Sequence, residues 1–381
     1  MLKKFETKND SNHMSRVTSQ KKLLIVVPKA YLPQLTGGLE ISANEVAQLY
    51  IQQGFDVFVT AGSLSSGITK VAERLRRKVF GGYSNTKKLS GVTVCSDLWH
   101  PTGLTQFIKK LNPIGVLFFT SGTDDITHKI IDANLPTAIF LCGVKMGQQL
   151  RETGRMKKCE FVCESSFIAE QAKRQLAVTT TKICPVLLKE KYTTSVTGKK
   201  ILVVNPNPKK GGAIVLEIAK LMPDRQFLVI GGWQHVVADD VMNTIESGLN
   251  ALPNVERLPN VDDMNPIFAQ SYCLLMPCVG QEAFGRTAAE AQIAGLPVIA
   301  SSQGALSETV GEGGVTIDYL SPIEKWVSIL ESLFSDQDWY CKLSLLAKKQ
   351  ASQPARQTSY INEQLAKLIE DLCFESNDES K

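Results

Sequence analysis

Histidine is scarce in this chain: 381 residues hold four, at His13, His100, His128 and His235. Nine cysteines are present, but none forms a CxxC pair. Cys159 and Cys163 are four apart, and no second His or Cys pair completes a metal site with them. No structural metal is therefore expected. Cys95, Cys184 and Cys273 fall in apolar, strand-like runs and read as reduced, buried thiols of a cytoplasmic protein. Also missing is any apolar run of the ~18 residues needed to cross a bilayer. The opening stretch, Met1 to Lys22, is polar and mixed in charge, without the apolar centre of a secretion signal. Residues 1–21 and 374–381 read as disordered tails. The remainder, at 43% hydrophobic and 21% charged, suits a globular chain of one very large or two ordinary domains.

The net charge of +4 hides an asymmetry. Residues 1–190 carry 26 Lys and Arg against 15 Asp and Glu; residues 191–381 carry 16 against 23. A first half at +11 favours an anionic partner, whether a membrane surface, a phosphorylated carrier or a nucleic acid. Its densest basic segment is Lys70-Val-Ala-Glu-Arg-Leu-Arg-Arg-Lys-Val-Phe80. Val71, Leu75 and Val79 recur every four residues, so one apolar stripe of a helix bears Lys70, Arg74, Arg76, Arg77 and Lys78 around it. Such a helix either docks on its own sheet or meets an anionic membrane. Aromatic residues hardly interleave the basic segments, which argues against stacking on single-stranded nucleic acid.

Strand and helix signals alternate along the chain. Leu23-Leu-Ile-Val-Val27 is a continuous apolar run fit for a strand buried on both faces. Gly37-Gly38 precedes a helical pattern over Leu39 to Gln53, and Phe55 to Thr60 is the next strand. Val92–Cys95, Val116–Phe119, Thr137–Leu141 and Phe161–Cys163 continue the series. After a polar stretch without period at 189–199, taken as a linker, the pattern restarts at Ile201–Val204. It runs on through Phe227–Gly232, Val255–Leu258, Cys273–Met276 and Pro297–Ala300. Such alternation predicts an α/β chain of two Rossmann-like domains, 22–188 and 200–352, with parallel sheets. A helix at 353–373 is expected to pack back on the first domain. Ligands of such sheets bind outside the carboxyl ends of the strands, here in the cleft between domains.

Glu282-Ala-Phe-Gly-Arg-Thr-Ala-Ala-Glu290 places two carboxylates eight positions apart around a glycine and a helix start. A helix N-terminus with free N–H groups is an anion site, and a Glu further in meets hydroxyls attached to that anion. The stretch resembles the Glu-x7-Glu motif of retaining family-four glycosyltransferases. Three further segments line up in order: Gly37-Gly38-Leu39-Glu40, Lys209-Lys210-Gly211 and Leu258-Pro-Asn-Val-Asp-Asp-Met264. Gly295-Leu-Pro-Val-Ile-Ala-Ser-Ser-Gln-Gly304 and Glu308 follow. The resemblance spans roughly 22–335. It implies the GT-B fold, donor binding in the second domain, acceptor binding mainly in the first, and no cofactor beyond the nucleotide-diphosphate sugar itself. By the same resemblance Lys210 and Glu282 are catalytic. The donor would also be held by Gly37, Gly38, Lys209, Ala283, Phe284, Gly285, Arg286, Thr287 and Glu290, with Glu290 on the ribose hydroxyls.

The chain departs from the family at two places. Where many members carry an Arg for the diphosphate, the segment reads Asn205-Pro-Asn-Pro-Lys209, and Arg286 is the nearest substitute. Where many carry a His after the strand matching Thr137–Leu141, this chain has Cys142-Gly143. His100 is the other acceptor-side candidate. In retaining transfer the leaving phosphate itself takes the acceptor proton, so the missing His need not abolish activity. Asp336-Gln-Asp338 has the spacing of metal-dependent transferases, but lies among late helices and reads as a solvated turn. The expected function is hexosyl transfer from a nucleotide-diphosphate sugar to a glycan or lipid-linked acceptor. Two alternatives stand beside it: a non-catalytic nucleotide-sugar-binding partner subunit, and a transferase that glycosylates nucleic acid.

Overall fold

The computed structural model describes residues 21–28, 30–62, 86–96, 103–122, 127–147, 150–152, 158–232 and 240–373. The basic segment at 70–80, His100, residues 1–20 and residues 374–381 lie outside them.

Leu23, Leu24, Ile25, Val26 and Val27 are all fully buried. They form β1, Lys22–Val27, which pairs in parallel with β2, Asp56–Ala61, on one side and β5, Gly115–Thr120, on the other. Side chains alternate across a strand, so β1 feeds two cores. Leu23, Ile25 and Val27 join the helix α1, Gly38–Gln52. Leu24 and Val26 join α2, Gly103–Leu111, and α3, Thr127–Ala133, on the opposite face. The other strands are β3 (Thr86–Leu89), β4 (Val92–Ser96), β6 (Thr137–Leu141), β7 (Cys159–Cys163) and β8 (Thr181–Lys182). The eight strands run β3-β4-β2-β1-β5-β6-β7-β8.

This sheet is not parallel throughout, as the alternation had implied. β3 pairs with β4 antiparallel. Ser90 and Gly91 between them both have positive φ, 47° and 87°, the demand of the two-residue hairpin turn whose twist matches the strands. Lys87 and Lys88 thus sit exposed on an edge strand, where lysines discourage pairing with another chain.

The second sheet is wholly parallel. It comprises β9 (Lys200–Val204), β10 (Phe227–Ile230), β11 (Val255–Leu258), β12 (Ser271–Met276), β13 (Val298–Ser301) and β14 (Gly314–Ile317), in the order β11-β10-β9-β12-β13-β14. That is the 3-2-1-4-5-6 order of a doubly wound fold, with its switch point between β9 and β12. Between 187 and 200 the chain is not a free linker, because Tyr192 is buried with Leu187 in the second domain's core.

The last helix, α12, Thr358–Cys373, crosses back to the first domain. Ile361, Leu365, Leu368, Ile369 and Leu372 make one helical stripe and join the α1 side of its core. The Tyr50 hydroxyl donates to the Leu365 carbonyl at 2.9 Å. With both domains tied to one terminal helix, the carboxyl ends of the two sheets face a shared cavity.

Candidate active site

Each wall of the cavity, about 440 Å³ in volume, is built from loops at strand ends. On the second domain, β9 ends in Asn205, whose φ of 56° is a left-handed value that Asn tolerates better than most residues. The Asn207 side chain then accepts from the Lys210 backbone N–H at 3.0 Å, fixing the turn that carries Lys210. The Lys210 Nζ lies 2.8 Å from Glu282 Oε2, with both side chains partly open to the cavity. Burial works against the Lys210 charge, but the Glu282 carboxylate outweighs it, and the ammonium is held above its ordinary pKa. Glu282 is anchored through its backbone, since the Ala305 N–H donates to its carbonyl at 2.9 Å.

After Glu282 the chain turns through Ala283, Phe284 and Gly285 into α8, Arg286–Ala294. No carbonyl or side chain among the described residues accepts from the N–H groups of Ala283, Phe284 or Gly285. These donors stand at the helix start, where the dipole also favours negative charge. Gly285 enters α8 at φ 89°, and a Cβ there would lie 2.6 Å from Leu306 Cδ2. Thr287 and Glu290 complete this wall.

The first domain supplies Gly37 and Gly38 at the start of α1, and Cys142, Gly143 and Glu164 at the ends of β6 and β7. A Cβ on Gly38 would lie 3.4 Å from Arg286 Cδ, so glycine permits the close approach of the domains here. Burial, and after it the nearby Glu164, pushes the Cys142 thiol well above its ordinary range. Glu164 was not singled out by the sequence. Burial raises its carboxyl to about 7, against the pull of Arg286 and of the neighbouring Cys142 and Ser42. Its one sequence signal is position: a carboxylate at a strand end, directly before Ser165, which caps α4, Ser166–Leu176.

Two residues expected at the donor, Lys209 and Arg286, and the motif-flanking Glu308 are engaged elsewhere. Lys209 is exposed and does not line the cavity; its carbonyl holds the next loop by accepting from Val279 and Gly280 N–H at 2.9 and 2.8 Å. Arg286 lines the cavity with its guanidinium already engaged. Its Nη2 is 2.9 Å from Glu45 Oε2, its Nη1 donates to Ser42 Oγ at 3.0 Å and to the Val186 carbonyl at 3.2 Å, and its Nε faces Glu290 Oε1 at 3.4 Å. Glu308 does not line the cavity but accepts from the Ser166 N–H at 2.9 Å, capping a helix of the other domain. Ser165 Oγ adds a bond to the Ala283 carbonyl at 2.6 Å. Asp336, away from the cleft, caps α11, Gln337–Ala351, by accepting from the Trp339 N–H. Among the described residues no group of three His, Cys, Asp or Glu side chains is placed to hold a metal ion.

Known proteins share part of this sequence and its fold. Residues 199–336 match the family model described as Glycosyl transferases group 1. D-inositol 3-phosphate glycosyltransferases of Mycobacterium strains KMS and JLS are 30% identical over 134 residues. That stretch is 34% of this chain and 30% of theirs, so the chain matches the curated relatives over less than a third of their length. Solved structures agree over nearly the whole chain. A glycosyltransferase from Rickettsia africae ESF-5 superposes with a TM-score of 0.71 at 14% identity, covering 94% of this chain and 100% of its own. Anabaena HepE, solved with UDP and glucose, gives 0.71 at 18%, covering 93% and 100%. Sucrose-phosphate synthase from Thermosynechococcus elongatus gives 0.73 at 12%, covering 93% and 99%. The fold is therefore GT-B, and within it residues 199–336 match the model of the Glycosyl transferases group 1 family.

Proposed function

We propose that the protein is a retaining glycosyltransferase. It moves a hexose-type sugar from a nucleotide-diphosphate donor to an acceptor hydroxyl, in the synthesis of a surface polysaccharide or glycolipid. The observation that carries this is the Lys210–Glu282 pair at 2.8 Å, set beside the N–H groups of Ala283, Phe284 and Gly285, which find no acceptor among the described residues. As the bond between the anomeric carbon and the diphosphate breaks, its electron pair passes to the leaving phosphate. Lys210 and the helix-start N–H groups meet that charge without reorganising, which is the largest source of rate in many enzymes. Glu282, held by Lys210, faces the donor sugar. No metal is needed where an ammonium and a helix dipole do this work. Support for a UDP-hexose comes from Anabaena HepE, solved with UDP and glucose. Retention and the hexose class rest on the motif from Glu282 to Glu290.

That function puts the protein in the cytoplasm, with contact to the inner membrane face through Lys70, Arg74, Arg76, Arg77 and Lys78. Among the described residues no helix is long and apolar enough to cross a membrane. Binding to anionic liposomes that falls steeply with salt is expected; salt-independent or absent binding removes the membrane contact.

The site is tested by thermal unfolding with UDP, GDP, ADP, CMP and their common sugars, on wild type, Glu290→Ala and Lys210→Ala. A ligand at 100 times its Kd adds about 2.7 kcal/mol. One nucleotide should stabilise the wild type but not Glu290→Ala, while Lys210→Ala keeps a smaller shift. No shift with any nucleotide would overturn the assignment; a shift without turnover would favour a non-catalytic binder.

A further inference from the structure

The N–H groups of Ala283, Phe284 and Gly285 belong to three successive peptide units, and each unit is held by its carbonyl. The Glu282 carbonyl accepts from the Ala305 N–H at 2.9 Å, and the Phe284 carbonyl accepts from the hydroxyl of the buried Thr309. Both partners belong to the second domain. The middle unit is held from the first domain, where Ser165 Oγ donates to the Ala283 carbonyl at 2.6 Å. A trans peptide group is planar, with its C=O and N–H pointing in opposite directions. Whatever holds the carbonyl therefore aims the N–H. Ser165 draws the Ala283 carbonyl toward the first domain, so the Phe284 N–H is turned away from Ser165. Phe284 lines the cavity, and its N–H meets no acceptor among the described residues. Ser165 is itself fixed: it is buried, and its oxygen accepts from the Ile168 N–H at 3.2 Å as the cap of α4. Ala283 also packs against the first-domain core that contains Ile168. A hydrogen bond and an apolar contact thus seat the donor-side turn on the start of α4.

We propose that Ser165 is a positioning residue for the donor: its hydroxyl, brought from the first domain, fixes the Ala283–Phe284 peptide so that the Phe284 N–H meets the terminal phosphate of a nucleoside diphosphate. The proposal rests on the transferase function proposed above. The second domain aims two of the three N–H groups with its own residues, Ala305 and Thr309. The third is aimed only while the two domains are in contact, because its carbonyl partner comes from across the cleft. The phosphate site is therefore complete in the closed arrangement and short of one oriented donor when the cleft opens. Preorganised N–H groups act on developing charge because they need no reorientation at the moment of reaction, and Ser165 supplies that preorganisation for Phe284.

The experiment compares wild type with Ser165→Gly and Ser165→Thr. Glycine and threonine are matched as helix caps, but only threonine keeps a hydroxyl to donate. Calorimetry measures the affinities of UDP, GDP, ADP and CDP, each beside its own monophosphate. The readout is the ratio of diphosphate to monophosphate affinity, since a weakened cap or a looser fold would move both ligands alike. Wild type should prefer the diphosphate of one base. In Ser165→Gly that ratio should fall about 10-fold, the worth of one hydrogen bond to a charged group, with the monophosphate affinity kept. Ser165→Thr should keep the wild-type ratio. A glycine variant with the wild-type ratio would overturn the proposal. So would a wild type that binds the diphosphate no tighter than the monophosphate, or a threonine variant that behaves as the glycine one. Wild type that binds no nucleotide would instead sink the transferase assignment, and this proposal with it.

Discussion

Arg286 and Glu45 form an ion pair at 2.9 Å across the two domains, with 9% and 1% of their side chains exposed. One belongs to the helix start that faces the donor cavity, the other to α1 of the opposite domain. The residue best placed in sequence to replace a diphosphate-binding arginine is thus already spent on closing the cleft. The pair costs desolvation on both sides. Burial raises the Glu45 carboxyl even though Arg286 pulls it down, and Glu45 Oε1 has no hydrogen-bond partner among the described residues.

Breaking that pair from one side leaves a buried charge. Glu45→Ala should cost about 3 kcal/mol in urea unfolding, and Arg286→Met added to it should recover part of the loss. A single-variant cost below about 1 kcal/mol, the worth of an exposed pair, would mean the domains separate in solution.

Lys210→Ala removes the cation paired with Glu282 at the cavity, where the Lys210 side chain is partly open. Turnover should fall by about 100- to 1000-fold while the melting temperature stays within a few degrees. Kinetics with saturating donor would show whether the loss lies in kcat. A loss confined to KM would make Lys210 a binding group only.

Gly285→Ala forces a Cβ against the buried Leu306 at a φ of 89°. The backbone term alone is about 1–2 kcal/mol, and the start of α8 must shift. Lower stability together with loss of nucleotide-induced stabilisation is expected, read by melting with and without UDP. Unchanged nucleotide response would separate the helix start from the site.

Stability should also depend on pH through Glu164. Its folded carboxyl is raised to about 7, whereas an unfolded Glu ionises near ~4.3. Between those values the folded state binds more protons than the unfolded, so stability falls as pH rises through the window. Glu164→Gln abolishes that loss. Relative to wild type, it should gain about 1–3 kcal/mol between pH 4 and 8, measured by urea unfolding at both. A difference that does not change with pH would place the Glu164 carboxyl in the ordinary range.

Much of the fold could be read along the chain, because its elements obey local rules. The continuous apolar run Leu23–Val27 could only be a strand covered on both faces, and it is. Thr137–Leu141 coincides with β6. The edge strand β3 escaped, because Lys87 and Lys88 carry no apolar period; Ser90-Gly91, a turn pair, was the available signal. In the site, Glu282 and Lys210 were found by motif. Glu164 and Glu45 were not, because neither lies in a motif and each gains meaning from a residue over 100 positions away in the chain.

By itself the sequence determined the strand–helix alternation, the two halves and the helix start that carries Glu282 to Glu290. These depend on apolar period, glycine and capping, which act over a few residues. Only the tertiary structure decided what the charges do. It tied Arg286 to Glu45, turned Glu308 into a cap for α4, left Lys209 outside the cavity and set Glu164 in its lining. The pKa and partner of a charged group depend on distance and local dielectric, and both are set by which strand ends the fold brings to one cleft.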